Sequence, residues 1–165
     1  MRQWFVVYCR PGLETRALTN LKRQQYDVWL PLYRKSRRHA RKLEKVLRPL
    51  FPRYLFINFD LMVQSWRPII STSGVHTIVS NSDGPIAISD DVISGLYARA
   101  DSEGIFEVNL NTPQPGDRVR IESGPMSDLE GIFQVKHDSD RVMLLLKLMG
   151  REVRVSVDAN EVERL

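Results

Sequence analysis

The chain has 165 residues, of which 42% are hydrophobic and 27% charged, and this composition is typical of one or two small globular domains. Its apolar runs fall short of the roughly 20 residues that a membrane helix needs, and its first residues lack the pattern of a signal peptide. The single cysteine, Cys9, excludes an internal disulfide, so we expect a protein of the reducing cytoplasm. We also expect the protein to be a monomer.

The charge is divided unevenly along the chain. Residues 1–100 contain 16 Lys and Arg against 7 Asp and Glu, whereas residues 101–165 contain 8 against 13. This contrast predicts a basic first domain and an acidic second one, separated by a linker over residues 101–114. A basic surface implies an acidic partner, of which nucleic acid is the usual example, although solubility and attraction between the two domains are an alternative explanation.

Residues 1–100 mix strand and helix patterns. Apolar and β-branched runs predict strands, and apolar residues at helical spacing predict helices, the last of them capped by Ser89 or Asp90. The predicted strands are 3–8, 28–32, 54–60 and 75–79, and the predicted helices are 14–25, 63–70 and 90–99. This order predicts an α+β fold in which helices flank an antiparallel sheet.

Residues 115–165 show short strand patterns separated by turn residues at a spacing of about ten, which favours a small β-barrel. The predicted strands are 118–122, 132–136, 141–147 and 152–157. The segment 142–149 (VMLLLKLM) is apolar on both sides, and its Leu, Met and Lys residues favour a helix. Gly150 and the alternating valines after it favour a strand, so both structures stay open.

Two segments resemble a known family. The first is PLFPRYLFINFD, Pro49 to Asp60, and the second is PGDRVRIESGPMSDLEGIFQV, Pro115 to Val135, which looks like a KOW motif. In this order they resemble the NusG family of transcription elongation factors, and the start QWFVVYCRPG is similar to its RfaH-like subgroup. The resemblance implies a NusG-type domain over residues 1–100 and an SH3-like KOW barrel over residues 115–165. The alternative is a C-terminal helical hairpin docked on the first domain.

The resemblance also implies a function. Such proteins bind the clamp helices of RNA polymerase, suppress pausing or termination, and in the subgroup contact non-template DNA at particular operons. Their C-terminal domain recruits a ribosomal protein or a termination factor. The alternative is a KOW-containing, RNA-binding or ribosome-associated protein that has no contact with polymerase.

Gripping two helix tips requires an apolar and aromatic patch, because aromatic side chains bury a large area at a low entropy cost. Tyr54 and Phe56 share one face of a strand. An alternative is that these residues form only the domain core. The residues that the resemblance assigns to polymerase binding are Phe51, Tyr54, Phe56, Ile93, Leu96 and Tyr97, with Trp66 as a contact on the other side of the polymerase cleft.

Cationic and amide side chains at the start of the chain can bind phosphates and base edges. The assigned residues are Arg10, Arg16, Asn20, Lys22, Arg23, Gln24 and Thr72. Asn20 and Ser73 differ from the residues familiar in the subgroup, so the DNA element is expected either to differ or to be read weakly. Residues 34–48 hold eight Lys and Arg, including Arg37, Arg38 and Arg41, and are expected to contact phosphates as a hairpin. A solvated surface is the alternative for both groups.

In the helical alternative, the second domain masks the polymerase patch. The residues expected to lie between the domains, or to bind the second partner, are Phe133, Leu144, Leu145 and Leu148. Arg48 stands where the subgroup has an acidic residue, so Arg141 is expected to face a like charge. The three histidines are far apart in sequence, and no catalytic or metal-binding set of residues stands out, so we expect neither an enzyme nor a cofactor.

Overall fold

The structure is a computed structural model that describes residues 1–107, Leu129, Ile132, Val135 and residues 137–150, without the side chains of residues 37 and 38. Two of the predicted C-terminal strands, 118–122 and 152–157, and the residue Phe133 lie outside this part of the chain. The strands are β1 (Gln3–Cys9), β2 (Asp27–Trp29), β3 (Leu32–His39), β4 (Lys42–Pro49), β5 (Tyr54–Phe59), β6 (Val75–Ile78), β7 (Ser80–Asn81), β8 (Gly84–Pro85), β9 (Ala87–Ile88) and β10 (Ile105–Glu107). The helices are α1 (Glu14–Arg23), α2 (Arg67–Ile70), α3 (Asp90–Arg99) and α4 (Asp138–Leu148).

The main sheet is antiparallel, with the order β2-β5-β1-β6 and with β9 also paired to β1. In its central pair, Val6 lies opposite Phe56 and Tyr8 lies opposite Tyr54. This arrangement confirms the predicted α+β class with an antiparallel sheet. None of the helices in the described part of the chain combines the length and the apolar character that a membrane span requires.

The sheet carries a separate hydrophobic core on each face, because side chains alternate along β1 and β5. Phe5, Val7 and Ile57 join Ala17 and Leu21 of α1 in a cluster that we call the α1 core. The opposite face forms a second cluster that we call the α3 core. The buried members of the α3 core are Val6, Tyr33, Leu50, Phe51, Phe56, Val79, Ile88, Val92, Ile93, Leu96, Phe106, Leu129, Ile132, Leu145 and Met149. Full burial of each large apolar side chain contributes about 1.5–3 kcal/mol.

The basic stretch 34–48 lies in the hairpin formed by β3 and β4, which agrees with the predicted hairpin. Its two turn residues, Ala40 and Arg41, have φ values of 48° and 64°, the left-handed pair that suits the twist of two-residue hairpins. On its other side β3 pairs in parallel with β10. Residues 105–107, which were predicted to belong to a linker, therefore form a strand. The apolar side chain of Phe106 is buried in this strand, which favours the pairing.

Residues 138–148 form helix α4, so the predicted strand over 141–147 is wrong in this conformation and the helical alternative holds. Leu129 and Ile132 are also helical, which contradicts the predicted strand start at Ile132. Helix α4 packs Leu145 into the α3 core. Its opposite side carries the exposed Lys147, so the apolar face of the helix packs against the first domain and the opposite face is exposed to solvent.

Candidate functional site

The aromatic residues around β5 lie in the α3 core. Phe51 and Phe56 are fully buried, and their rings meet edge to face at 5.9 Å between centroids. Tyr54 is partly buried at the margin of the same cluster, where its ring lies 5.0 Å from that of Tyr8. The period of two along β5 directs Tyr54 and Phe56 to this face and Leu55 to the other, as predicted.

Helix α3 completes the aromatic region. It begins at the Ser89 cap, whose Oγ accepts a hydrogen bond from the Asp91 N–H at 3.2 Å, so Ser89 is the cap of the two predicted residues. Ile93 and Leu96 are buried in the α3 core. Tyr97 is 44% exposed, and its ring stacks on Trp29 at 3.9 Å; partial burial raises the pKa of its hydroxyl above the ordinary value. The structure thus brings six of the seven residues assigned to polymerase binding to one region.

Trp66, the seventh residue, lies on the opposite face of the sheet. It precedes α2 and packs partly buried against the α1 core. Met62 and Val63, in the loop just before it, are largely exposed and were not among the predicted site residues. Exposed apolar side chains in a loop are available to a partner, and only their position between β5 and α2 could have suggested them.

Helix α4 covers the aromatic region. Leu145 and Met149 are buried in the α3 core, while Leu144 and Leu148 pack against it partly exposed. Phe51 and Phe56 therefore cannot touch another protein while α4 is in place. The three leucines predicted to lie between the domains all take part in this cover.

Arg141 fixes the start of α4 to the first domain. It is 1% exposed, and its Nε donates to the main-chain oxygen of Leu50 at 2.7 Å, while Nη1 donates to the oxygen of Val135 at 3.3 Å. The guanidinium also pairs with the Asp138 carboxylate and lies 4.8 Å above the centre of the Tyr33 ring. These partners replace the like-charge encounter predicted with Arg48, whose side chain is exposed on β4.

The hydroxyl of Tyr33 donates to Oδ1 of Asp138 at 3.1 Å. Burial raises the pKa of this hydroxyl, and the negative charge of Asp138 raises it further. The hydroxyl is therefore a stable donor at neutral pH. A buried charge requires such partners because an unpaired one is costly to desolvate.

A second group of predicted residues meets where α1 approaches the turn before β6. Gln24 donates from Nε2 to the Thr72 hydroxyl at 2.8 Å, and Asn20 donates from Nδ2 to the Ser73 oxygen at 3.2 Å. Thr72 is buried, and its hydroxyl donates to the Pro68 oxygen at 2.8 Å. The predicted nucleic-acid residues Arg10, Arg16, Lys22 and Arg23 are exposed on or near α1.

Gly74 makes this approach possible. Its φ is 96°, and a β-carbon there would lie 2.8 Å from the backbone nitrogen of Ala17. Its oxygen accepts a hydrogen bond from the Arg10 N–H at 2.9 Å, which links the end of β1 to the turn. The sequence did not predict this contact with α1, which depends on tertiary packing around a glycine with a positive φ.

The β3–β4 hairpin carries the remaining predicted cations. Arg41 is exposed in its turn, and Arg37 and Arg38 lie in β3, although their side chains are not among the described ones. Leu43 and Leu47, which were not among the predicted site residues, are exposed on β4. Among the residues that the structure describes, no three His, Cys, Asp or Glu side chains are grouped so that they could hold a metal ion.

Comparison with known proteins assigns the family. Residues 2–97 match the family model described as "Transcription termination factor nusG". The transcription termination/antitermination protein NusG of Escherichia coli (strain K12) is 25% identical over 99% of this chain and 96% of its own length. The protein of that name from Thermus thermophilus is 27% identical over 97% of both chains, and that from Rickettsia conorii is 22% identical over 99% of this chain and 91% of its own.

Among solved structures, one described as "Domain interaction in Thermotoga maritima NusG" aligns with 76% of this chain and 75% of that chain, at 19% identity and a TM-score of 0.43. The family match does not depend on this likeness, because it rests on the sequence. Since the NusG family model covers more than half of the residues, this chain belongs to the NusG family of transcription termination and antitermination factors.

Proposed function

We propose that this protein is an elongation and antitermination factor that binds the clamp helices of RNA polymerase through the α3 core after α4 has moved away. The observation that carries the proposal is the cover itself, in which α4 lies on an aromatic region built around Phe51 and Phe56. One face of the main sheet and helix α3 together form an apolar surface that suits an α-helical partner. Helix α4 is itself such a helix on this surface. Polymerase helices would take the place that α4 holds here.

The proposed specificity for particular operons rests on the group formed by Asn20, Gln24 and Thr72. Hydrogen bonds hold these side chains in place, and exposed cations from Arg10 to Arg23 surround them. Ordered amides suit base edges and cations suit phosphates, which fits an exposed non-template strand. The β3–β4 hairpin adds phosphate contacts that depend on salt but not on sequence.

Two further contacts complete the proposal. The loop with Met62, Val63 and the adjacent Trp66 would touch polymerase on the other side of its cleft, away from the α3 core. Leu144, Leu145 and Leu148 would become available to a ribosomal protein or a termination factor when α4 leaves. We place the protein in the cytoplasm as a monomer, with residues 1–100 as its polymerase-binding domain and residues 115–165 as a KOW-type domain.

Binding of purified RNA polymerase to variants of the full chain tests the proposal. Leu145→Asp places a charge in the buried face of α4 and should increase binding, because it releases the cover. Lys147→Asp is the matched control, since it places the same group on the exposed side of the same helix. In the Leu145→Asp background, Tyr54→Ala should reduce the binding again, because Tyr54 lies at the margin of the exposed patch.

The same variants should shorten pauses in a transcription assay in the order of their binding. If Leu145→Asp binds polymerase no better than Lys147→Asp, although hydrogen exchange shows that its helix is open, the proposed surface is wrong. Copurification with ribosomes in the absence of polymerase binding would instead favour an RNA-binding KOW protein.

A further inference from the structure

Strand β3 is attached to the C-terminal part of the chain at two adjacent residues. Tyr33 contacts Asp138 and Arg141 of α4. Arg34 binds the residues that follow α3: Nη1 lies 2.9 Å from Asp101 and 2.9 Å from Glu107. Adjacent residues on a strand point to opposite faces, so the Tyr33 contacts with α4 and the Arg34 ion pairs with residues 101–107 lie on opposite sides of β3.

The linker segment itself is held by one apolar and several polar contacts. Phe106 is fully buried in the α3 core, with its ring 6.0 Å from that of Trp29. Asp101 Oδ1 accepts hydrogen bonds from the N–H groups of Glu103 and Ile105, both at 2.9 Å. Glu103 adds a third carboxylate 3.9 Å from Arg34. The start of the linker is therefore a folded part of the first domain.

The ion cluster is open to solvent. The side chain of Arg34 is 27% exposed, and those of Glu103 and Glu107 are about 70% exposed. Exposed pairs contribute little individually and are weakened by salt, because mobile ions screen them. Arg34 is also the first cation of the basic stretch 34–48, which we propose binds phosphates. The three carboxylates therefore form ion pairs with one cation of the β3–β4 hairpin, which we propose binds nucleic acid.

We propose that Arg34 and the carboxylates of Asp101, Glu103 and Glu107 form an electrostatic latch, which holds β10 and the α4 cover closed until nucleic-acid phosphates on the hairpin compete for Arg34. The inference rests on the proposed function in one respect, namely that opening exposes the polymerase patch. Phe106 couples the latch to the cover, because it packs in the same core as Leu145. Loss of β10 would remove Phe106 from this shared core.

The coupling must be reciprocal. Phosphates that bind Arg34 better when the carboxylates have left will shift the chain toward the open form. By the same linkage, variants that open the chain will bind DNA more tightly. Because the linker is acidic and the hairpin is basic, closing the latch also lowers the positive potential that attracts DNA.

Hydrogen exchange measured by mass spectrometry on the full chain tests the latch. The variants are Arg34→Gln and Glu107→Gln, and the probe is a mixed-sequence DNA duplex at about 50 mM and about 200 mM salt. Lys35→Gln is the matched control, because it removes a hairpin cation that points to the other face of β3. Exchange in β1 and β5 shows whether each variant is folded.

We expect Arg34→Gln and Glu107→Gln to speed exchange in residues 105–107 and 138–148 by up to about fivefold at low salt, with β1 and β5 unchanged. The duplex should speed exchange in these segments in the wild-type chain and in Lys35→Gln, but not further in Arg34→Gln. Wild-type protection in both latch variants, or a duplex that leaves both segments unchanged in the wild-type chain, overturns the proposal.

This experiment contains no polymerase, so its outcome is separable from that of the proposed function. If the latch opens as expected but the protein never binds polymerase, the latch is supported and the proposed function is wrong. The opposite result is that Leu145→Asp increases polymerase binding but Arg34→Gln does not, and that β10 is equally protected in the wild-type chain and in Arg34→Gln. This result would contradict the latch and support the proposed function.

Discussion

Tyr33 and Asp138 are 105 residues apart in sequence, and the tyrosine hydroxyl lies 3.1 Å from the carboxylate oxygen that accepts its hydrogen bond. The contact joins β3 to the first turn of α4, where a negative charge is also favoured by the helix dipole. Arg141 lies over the same tyrosine ring. The beginning of α4 is thus held by polar contacts, and the rest of the helix by apolar ones.

The first prediction concerns this polar attachment. Arg141→Met should weaken the docking of α4 by about 2–3 kcal/mol, because it removes hydrogen bonds of a buried charge to Leu50 and Val135. Tyr33→Phe should cost only about 1 kcal/mol, since it deletes one hydrogen bond and keeps the ring. Hydrogen exchange of residues 138–148 measures both effects.

Lys147→Gln serves as the control on the exposed side of α4 and should leave this exchange unchanged. Equal exchange rates in Arg141→Met and in the wild-type chain would show that apolar contacts alone hold the helix. A larger effect of Tyr33→Phe than of Arg141→Met would show that the guanidinium is not the main attachment.

The second prediction concerns Gly74. Gly74→Ala should lower the free energy of unfolding by about 2–4 kcal/mol, because a β-carbon would collide with the backbone of Ala17 and also be strained at a φ of 96°. Gly12→Ala is the matched control: its φ is 72°, and nothing lies within 4 Å of the added carbon, so it should cost about 1–2 kcal/mol. Urea unfolding compares the two, and equal losses would contradict the close approach.

The third prediction concerns the thiol of Cys9. Its pKa is raised to about 12, chiefly by burial and also by the nearby Glu14 carboxylate, against a smaller opposite effect of Arg53. Because the thiolate is the reactive form, Cys9 should resist alkylation at neutral pH in the folded protein. Denaturant should make it react at the rate of an ordinary cysteine. Rapid labelling without denaturant would mean that β1 opens readily.

The same shift has a consequence for stability at alkaline pH. The folded state holds the thiol proton up to a pKa of about 12, while the unfolded state loses it near 9. The folded state is therefore disfavoured progressively as the pH rises above 9. Cys9→Ala should remove this part of the alkaline loss of stability, which denaturant titrations at several pH values can measure.

The fourth prediction concerns acid. Hydrogen bonds from the Ile105 N–H and then from Arg34 lower the pKa of Asp101. A carboxylate with a lowered folded pKa stabilises the folded state above its unfolded value of about 3.9, and this contribution is lost as the pH falls through the folded pKa. The structure around β10 should therefore stay unchanged from neutral pH down to about 5 and loosen below about 4.

The indole resonance of Trp29 reports this transition in an NMR titration, because Trp29 lies beside Gly104 and stacks with Phe106. Asp101→Asn should abolish the acid step at this resonance. Asp60, whose pKa is lowered by its hydrogen bond with the N-terminal amine, follows the end of β5, four residues beyond the Phe56 that pairs with Trp29, and should leave Trp29 unaffected. A Trp29 step that persists in Asp101→Asn would contradict the assignment.

Local patterns predicted much of the first domain. The alternation of Tyr54 and Phe56 with Leu55 gave the correct face of β5, and Ser89 gave the correct start of α3, because both features depend on a few neighbouring residues. The expectation of a protein that is not an enzyme is confirmed by its membership of a family of transcription factors. The division at residues 100 and 115 and the assigned contacts with polymerase and DNA stay predictions.

The C-terminal errors have a physical cause. Residues 142–149 are apolar on both sides, so local propensity allowed both a helix and a strand, and packing against the α3 core accompanies the helix seen here. Phe106 lies in a segment whose acidic, Gly, Asn and Pro residues are typical of a linker, so no strand was predicted there. Its burial depends on β3, which lies far away in sequence. The hydrogen-bond partner of Arg141 could not be predicted for another reason. The acceptor is the main-chain oxygen of Leu50, and the identity of that side chain gives no indication of it.

That acceptor affects how the closed form can be lost by mutation. Every amino acid carries a carbonyl oxygen, so drift at position 50 does not delete the atom that holds Arg141. A genetic selection for permanently active variants should therefore recover changes at position 141 more often than losses of its acceptor. The hydrogen bond between Arg141 and the main chain of residue 50 thus depends on the identity of only one of its two residues.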